Sequence, residues 1–214
     1  MTLPPSSDQS LRAETSASIE EAAAIIQAGG LVGFLTDTLY GLGADATNAE
    51  AVARVFSAKN RPPDKPLLVL VADMRAARKI ALFDDRAERL ARAFWPGPLT
   101  LILPRSIDCR LCAALNPFGE TVSLRIPGRA ATRELIAAAE RPLTAPSANP
   151  SGAPAPQTAA AVAEAIGERV DLILDGGAAK SAVPSTIVDL SGPILRCVRV
   201  GAISEPDIAI VAGK

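Results

Sequence analysis

The chain has 214 residues, 49% of them hydrophobic and 21% charged, which fits one globular domain with a sizeable core and excludes a disordered or fibrous chain. Lys and Arg total 22 against 23 Asp and Glu, a net charge of −1, and the aromatics are 5 Phe, 1 Trp and 1 Tyr. That balance argues against a dedicated nucleic-acid coat and against a row of base-stacking platforms, but it leaves room for a local basic cleft.

Residues 1–16 read as a flexible polar tail with no apolar run of the kind a signal peptide needs, and residues 17–214 as the folded domain. The longest apolar runs, 67–72 and 99–103, are strand-length, so no membrane span is expected and a cytoplasmic location is. Ser18 and Glu21 form a capping-box pair that opens a helix, and Gly29-Gly30 ends it. Residues 31–35 are a short apolar run and read as a buried strand. A hydroxyl-rich turn follows, Thr36-Asp37-Thr38-Leu39-Tyr40-Gly41-Leu42-Gly43. Thr47 caps a second helix whose apolar face is Ala51, Val52, Val55 and Phe56, and which ends near Ala58.

Next comes Lys59-Asn60-Arg61-Pro62-Pro63-Asp64-Lys65-Pro66-Leu67. Its three prolines forbid an ordinary helix, so Lys59, Arg61 and Lys65 are expected on a stiff loop, pre-positioned for a polyphosphate. A strand over 67–71, a helix over 84–94 and a strand over 99–103 follow, with Trp95-Pro96-Gly97-Pro98 as the break between the last two. Residues 104–120 read as loop. A strand over 121–126 alternates, so that Thr121, Ser123 and Arg125 share one face. Pro127-Gly128 turns into a helix over 130–139, residues 143–145 are extended, and 146–156 form an ordered loop rich in Pro, Ser and Asn. A helix over 158–166, strands over 170–174, 186–190 and 194–200, and a final helix capped by Ser204 complete the chain. Helices mixed with strands, without a strict βα repeat, give an α/β fold with a mixed sheet.

Several segments carry chemistry. The stretch from Gly41 to Ala46 matches a dinucleotide fingerprint, G-x-G-x-x-A, but five residues separate it from the preceding strand. No acid stands alone some 20 residues on, so the glycines read as a tight turn. Thr36, Asp37 and Thr38 sit at the carboxyl end of a strand, the usual ligand edge of an α/β sheet. Arg125, on a strand, suits a carboxylate or a phosphate through its bidentate fork. The segment Pro146-Ser147-Ala148-Asn149-Pro150-Ser151-Gly152 can cradle an anion, and Pro184-Ser185-Thr186 repeats hydroxyls beside a strand end. Arg196 and Arg199 lie on the last strand. With no histidine, a general base must be Asp, Glu, Lys, Cys, Tyr or the substrate itself. Cys109 and Cys112 have C-x-x-C spacing, but Cys197 is the only other cysteine, too few for a structural zinc site; they read as two small residues one helical turn apart.

In this order the segments resemble the YrdC-like family of threonylcarbamoyl-AMP synthases. The resemblance rests on the Thr36–Gly43 turn, Ala58 to Pro62 with Lys65 to Leu67, Trp95 to Thr100, Val122 to Pro127, Ala145 to Asn149 with Ser151-Gly152, Ser185-Thr186 with Asp189, and Arg196 to Gly201. It covers residues 18–203. It implies a twisted mixed parallel and antiparallel sheet flanked by helices, with a basic concave cleft. It also implies a nucleotidyltransfer in which ATP, L-threonine and bicarbonate give threonylcarbamoyl-adenylate and pyrophosphate, for N6-threonylcarbamoyladenosine in tRNA. The site residues follow from it: Thr38, Arg125, Ser185 and the backbone near Ala145 for L-threonine; Lys59, Arg61, Lys65, Thr121, Ser147, Asn149 and Arg199 for ATP, with Lys59 and Arg61 neutralising its phosphates. Mg2+ is expected with ATP, held by no protein side chain, and no organic cofactor. Partners would be a protein that passes the threonylcarbamoyl group to tRNA, with direct RNA contact left open. Two positions depart from the family pattern, Leu35 where proline is usual and Leu70 where some members have histidine. Residues 104–120 match nothing in it, and the extra C-terminal domain of long members is absent, so a short single-domain type is implied. Two other readings stand beside it: a double-stranded RNA or tRNA binder without turnover, and a carbamoyltransferase-like domain.

Overall fold

The computed structural model describes residues 10–213. Strand β1 (Leu11–Ala13) lies inside the segment read as a tail and pairs in parallel with β8 (Leu172–Asp175), so the domain begins earlier than residue 17; residues 1–9 are outside the described range. Helix α1 (Ser16–Gln27) starts before the sequence signal: its N-cap is Thr15, which trades hydrogen bonds with Ser18 in a capping box. Ser18 therefore closes the box from the inside rather than opening it.

Strand β2 (Val32–Leu35) pairs in parallel with β8 and antiparallel with β3 (Tyr40–Gly43). The motif read as one long turn is thus a tight 36–39 turn followed by a strand. Thr36 builds that turn: its hydroxyl donates to Leu39 O at 2.8 Å and accepts from the Thr38 and Leu39 amides. Gly43 is not a left-handed position. A Cβ there would stand 2.5 Å from the Phe34 ring, so its glycine serves close packing between β2 and β3.

Helix α2 (Ala49–Lys59) runs one residue further than Ala58, and Asn60 ends it in the left-handed conformation. Lys59 is therefore helical and not on the proline loop. Strand β4 (Leu68–Leu70) follows, then helix α3 (Met74–Ile80), which the sequence reading missed, and α4 (Asp85–Phe94). Strand β5 (Leu99–Pro104), an irregular stretch with one short turn of 3₁₀ helix, β6 (Thr121–Arg125), α5 (Ala130–Ala139) and β7 (Leu143–Thr144) come next. Helix α6 (Ala159–Ile166), β9 (Thr186–Asp189), β10 (Arg196–Arg199) and α7 (Glu205–Ala212) finish the fold.

The strands form two sheets, ordered β1-β8-β2-β3 and β10-β9-β5-β6-β4-β7. They meet where β3 runs beside β7. Thr144 N donates to Ala44 O, Leu42 N to Pro146 O and Ala148 N to Tyr40 O, so the ladder continues across the junction with an irregular register. The mixed parallel and antiparallel sheet is thus present, folded at one seam. Apolar side chains from both sheets and the helices fill the core, with Leu42, Val55, Val69, Leu90, Leu101 and Ile173 almost wholly buried. The seam is where the backbone can carry polar side chains inward, and the site lies beside it.

Candidate active site

A cavity of about 430 Å³ opens where the 36–41 turn, β4, β6, the 145–147 segment and the start of β9 converge. Its size is ordinary for a small-molecule site. Polar lining comes from Thr36, Thr38, Ser123, Ser147 and Ser185 with the cations Arg61, Arg125 and Arg199, and the apolar wall includes Leu68, Leu70 and Ile187. A larger cavity, about 610 Å³, lies by α3 and the end of α5. Its lining is chiefly aliphatic, and its charges, among them Lys79, Asp108, Glu140 and Arg141, are of both signs. Size favours the second cavity, but convergent hydroxyls and cations mark the first.

Arg125 is the centre of the site. It ends β6 and is 2% exposed. Its Nε donates to Gly97 O at 2.9 Å, Nη1 donates to Thr38 Oγ1 at 3.1 Å, and Nη2 donates to Asp37 Oδ1. Three of the five guanidinium N–H groups are thereby used, leaving one on each terminal nitrogen. The Trp95 to Pro98 motif acquires a role here: Gly97 accepts from Arg125 while its own amide donates to Ile126 O, clamping the break against the end of β6.

The hydroxyls form two hydrogen-bonded pairs. Thr38 Oγ1 lies 3.0 Å from Thr36 Oγ1, and Ser185 Oγ lies 2.9 Å from Thr100 Oγ1. Arg199 donates to Ser185 O from Nε and Nη2, and to Ser185 Oγ at 3.1 Å. The residue is exposed as a whole, but its head rests on Ser185; burial first, then repulsion from Arg125, lower its pKa. Two guanidinium groups this close in one cavity create a site for anions. Ala145 lines the cavity too, with its amide already given to Leu68 O.

Arg61 lines the cavity and staples its own loop, Nε to Lys65 O at 3.1 Å and Nη2 to Pro66 O at 2.8 Å. Burial lowers its pKa. Lys65 is exposed and outside the lining, so the proline loop presents one cation to the cavity and not three. Lys59 is 2% exposed, and its ammonium donates to the carbonyls of Ser147 and Asn149, the latter at 2.5 Å. Burial, then the Arg61 charge, pull its pKa down to about 8; the two carbonyls act the other way and favour the ammonium. Lys59 is thus a brace that ties the end of α2 to the segment carrying Ser147. Asn149 turns away from the cavity, its Nδ2 donating to Pro150 O and Ala153 O. Thr121 shares the face of Ser123 and Arg125 as its alternation requires, but sits at the far end of β6, where Asn116 Nδ2 donates to its hydroxyl at 3.0 Å.

Sequence reasoning missed Thr100, Ser123 and Tyr40 as site residues. The alternation that placed Arg125 also put Ser123 on its face, and Tyr40 was visible as the only tyrosine in the chain. Tyr40 anchors β3: its hydroxyl donates to Gly177 O at 2.7 Å and accepts from Gly176 N, and burial, then Asp175, push its pKa up to about 12. Cys109 and Cys112 lie in the irregular stretch after β5, not a helical turn apart, and neither lines the cavity. Among the described residues no group of three or more His, Cys, Asp or Glu could hold a metal, and no helix is long and apolar enough to cross a membrane.

Comparisons with known proteins show which family the chain resembles. The Sua5/YciO/YrdC family model, described as "Telomere recombination", matches residues 24–201. The threonylcarbamoyl-AMP synthase of Pyrococcus abyssi is 41% identical over 201 residues, spanning 92% of this chain and 57% of its own. That of Bacillus subtilis is 39% identical over 199 residues, spanning 91% of this chain and 56% of its own. A crystal structure of P. abyssi Sua5 complexed with L-threonine superposes with a TM-score of 0.89 at 39% identity, over 95% of this chain and 59% of that one. The chain therefore spans a little over half the length of these relatives.

Proposed function

The chain belongs to the Sua5/YciO/YrdC family, and from that premise we propose that its cleft joins L-threonine, bicarbonate and ATP into threonylcarbamoyl-AMP and pyrophosphate. The observation that carries this reading is Arg125. It is buried, fixed by three acceptors, and keeps a spare N–H on each terminal nitrogen within a cavity lined by hydroxyls and two further arginines. That is a seat for an amino-acid carboxylate beside a seat for phosphates.

In this reading Arg125 holds the threonine carboxylate, and Thr38 and Ser185 hold its polar groups. Arg61, Arg199 and Ser147 hold the nucleotide. Lys59 and Asn149 act through the loop that carries Ser147, and Lys65 and Thr121 are given no contact with the substrates as the cavity stands. The threonine amine adds to carbon dioxide derived from bicarbonate, forming the C–N bond and releasing a proton. A carbamate oxygen then attacks the α-phosphorus, and the bond from that phosphorus to the bridging oxygen breaks as pyrophosphate leaves with the electron pair. The carbamate is its own nucleophile, so the protein's task is to orient the two substrates and neutralise charge. Arg61 and Arg199 would stabilise the departing pyrophosphate. No carboxylate is among the described residues that line the cavity, and Asp37 is engaged by Arg125, so a magnesium ion would be held by the ATP phosphate oxygens, where it would neutralise charge. The adenylate product would pass to a transferase that acts on tRNA.

The test is pyrophosphate release with all three substrates and magnesium, and with each substrate omitted in turn. Absence of release with the full set would sink the reading. Turnover of carbamoyl phosphate in place of threonine and bicarbonate would favour a carbamoyltransferase. RNA affinity that is steep in salt and indifferent to Arg61→Ala and Arg125→Ala would favour an RNA-binding module.

A further inference from the structure

Asp37 stands outside the cavity lining, yet it holds the residue at the cavity's centre. Its side chain is 18% exposed and that of Arg125 is 3% exposed, so the pair is shielded from water. One carboxylate oxygen accepts from Arg125 Nη2; the other, Oδ2, is buried and, among the described residues, no donor reaches it. A buried carboxylate supported on one side only is costly unless its partner stays in place. The pair is therefore mutually dependent. Arg125 also shares the cavity with Arg199, whose pKa burial first, and then the Arg125 charge, lower.

Gly128 backs this arrangement. A Cβ at position 128 would stand 2.9 Å from Asp37 Oδ2 and 3.2 Å from its Cγ. Gly128 is exposed and does not have a positive φ, so alanine suits its backbone. What must move is the carboxylate, the far end of a side chain.

We propose that Asp37 is a positioning residue for amino-acid recognition: with Gly97 O and Thr38 it sets the Arg125 guanidinium so that its spare N–H groups face the cavity, and Gly128 is glycine to leave the carboxylate that room. The proposal rests on the reading that Arg125 takes the substrate carboxylate. Its reach is limited to the amino acid, since Asp37 touches none of the residues assigned to the nucleotide other than through Arg125.

The experiment measures Kd for L-threonine by calorimetry, and KM for threonine and for ATP, in Asp37→Ala, Gly128→Ala, the double variant and Arg125→Ala, with thermal unfolding of each. Gly128→Ala is expected to fold like the parent and to weaken threonine about tenfold, the scale of one misaligned charged hydrogen bond, with ATP KM within about twofold. Asp37→Ala should do the same or more, and the double variant should be no worse than Asp37→Ala, because both act through one carboxylate. If Asp37→Ala fails to fold, Asp37→Asn replaces it in the cycle. Multiplicative losses in the double variant, equal shifts for threonine and ATP, or unchanged threonine affinity in Gly128→Ala would each overturn the proposal. If Arg125→Ala also binds threonine normally, it is the underlying assignment of the carboxylate that fails.

Discussion

Replacing Lys59 by methionine keeps the aliphatic stem and removes the ammonium, so it isolates the brace between α2 and the 146–149 segment. The carbonyls of Ser147 and Asn149 would lose their donor. Leaving a buried acceptor unmade costs about 1–3 kcal/mol. Against that, the native protein carries a buried charge: the pKa of Lys59 is held at about 8. Relative to an ordinary lysine near 10.4, that depression costs up to about 3 kcal/mol at neutral pH. With two acceptors left unmade, the losses exceed the relief by a small margin, a net loss of about 1 kcal/mol for Lys59→Met at pH 7. The sign of the pH dependence follows from the lowered pKa. As pH climbs through 8, folded Lys59 releases its proton while the unfolded chain still holds one, so the native protein gains stability that the methionine variant cannot. The gap between them should widen by up to about 2 kcal/mol between pH 7 and 9.5. Urea unfolding of both proteins at four pH values measures this, and ATP KM measured alongside should rise as the Ser147 segment loosens. A gap that stays constant, or narrows with pH, would refute the reasoning, since it would mean that the two carbonyls outweigh burial.

Other outcomes test the rest of the site. Arg125→Ala should raise KM for threonine at least tenfold more than KM for ATP, and Arg61→Ala should do the reverse; equal effects in steady-state assays would mean that the cleft is misassigned. Thr186→Val removes a hydroxyl that donates to Ile203 O at 2.6 Å and accepts from the Gly201 and Ile203 amides, each at 2.9 Å, in a wholly buried position. Unfolding in denaturant should show a loss of about 2–4 kcal/mol. Tyr40→Phe leaves Gly177 O and Gly176 N without that partner and should cost about 1–2 kcal/mol, with no pH dependence below pH 10 because the phenol's pKa is pushed up to about 12.

Local rules in the sequence determined much of this protein. Proline and glycine marked the breaks at 62–66, 96–98 and 127–128, the apolar face placed α2, and the helices read over 84–94, 130–139 and 158–166 match α4, α5 and α6 to within a residue. Strand alternation put Ser123 and Arg125 on the face that became the cavity. The order of these motifs along the chain was enough to show a resemblance to a family.

What needed the tertiary structure was the partner of each polar group. Lys59 and Arg61 are two residues apart, and a linear reading gave both to one phosphate loop. One helical residue more in α2 turns Lys59 toward two carbonyls about 90 positions downstream, while Arg61 reaches the cavity. Asp37 read as one of three polar groups at the ligand edge of a strand; only the meeting of the β2–β3 turn with the end of β6 made it the counter-ion of Arg125. Strand β1 was illegible, since three residues with little apolar content form a strand only because β8 offers them an edge. Spacing along the chain fixes which groups share a face, but long-range pairing fixes which of them are satisfied internally and which remain free for a ligand.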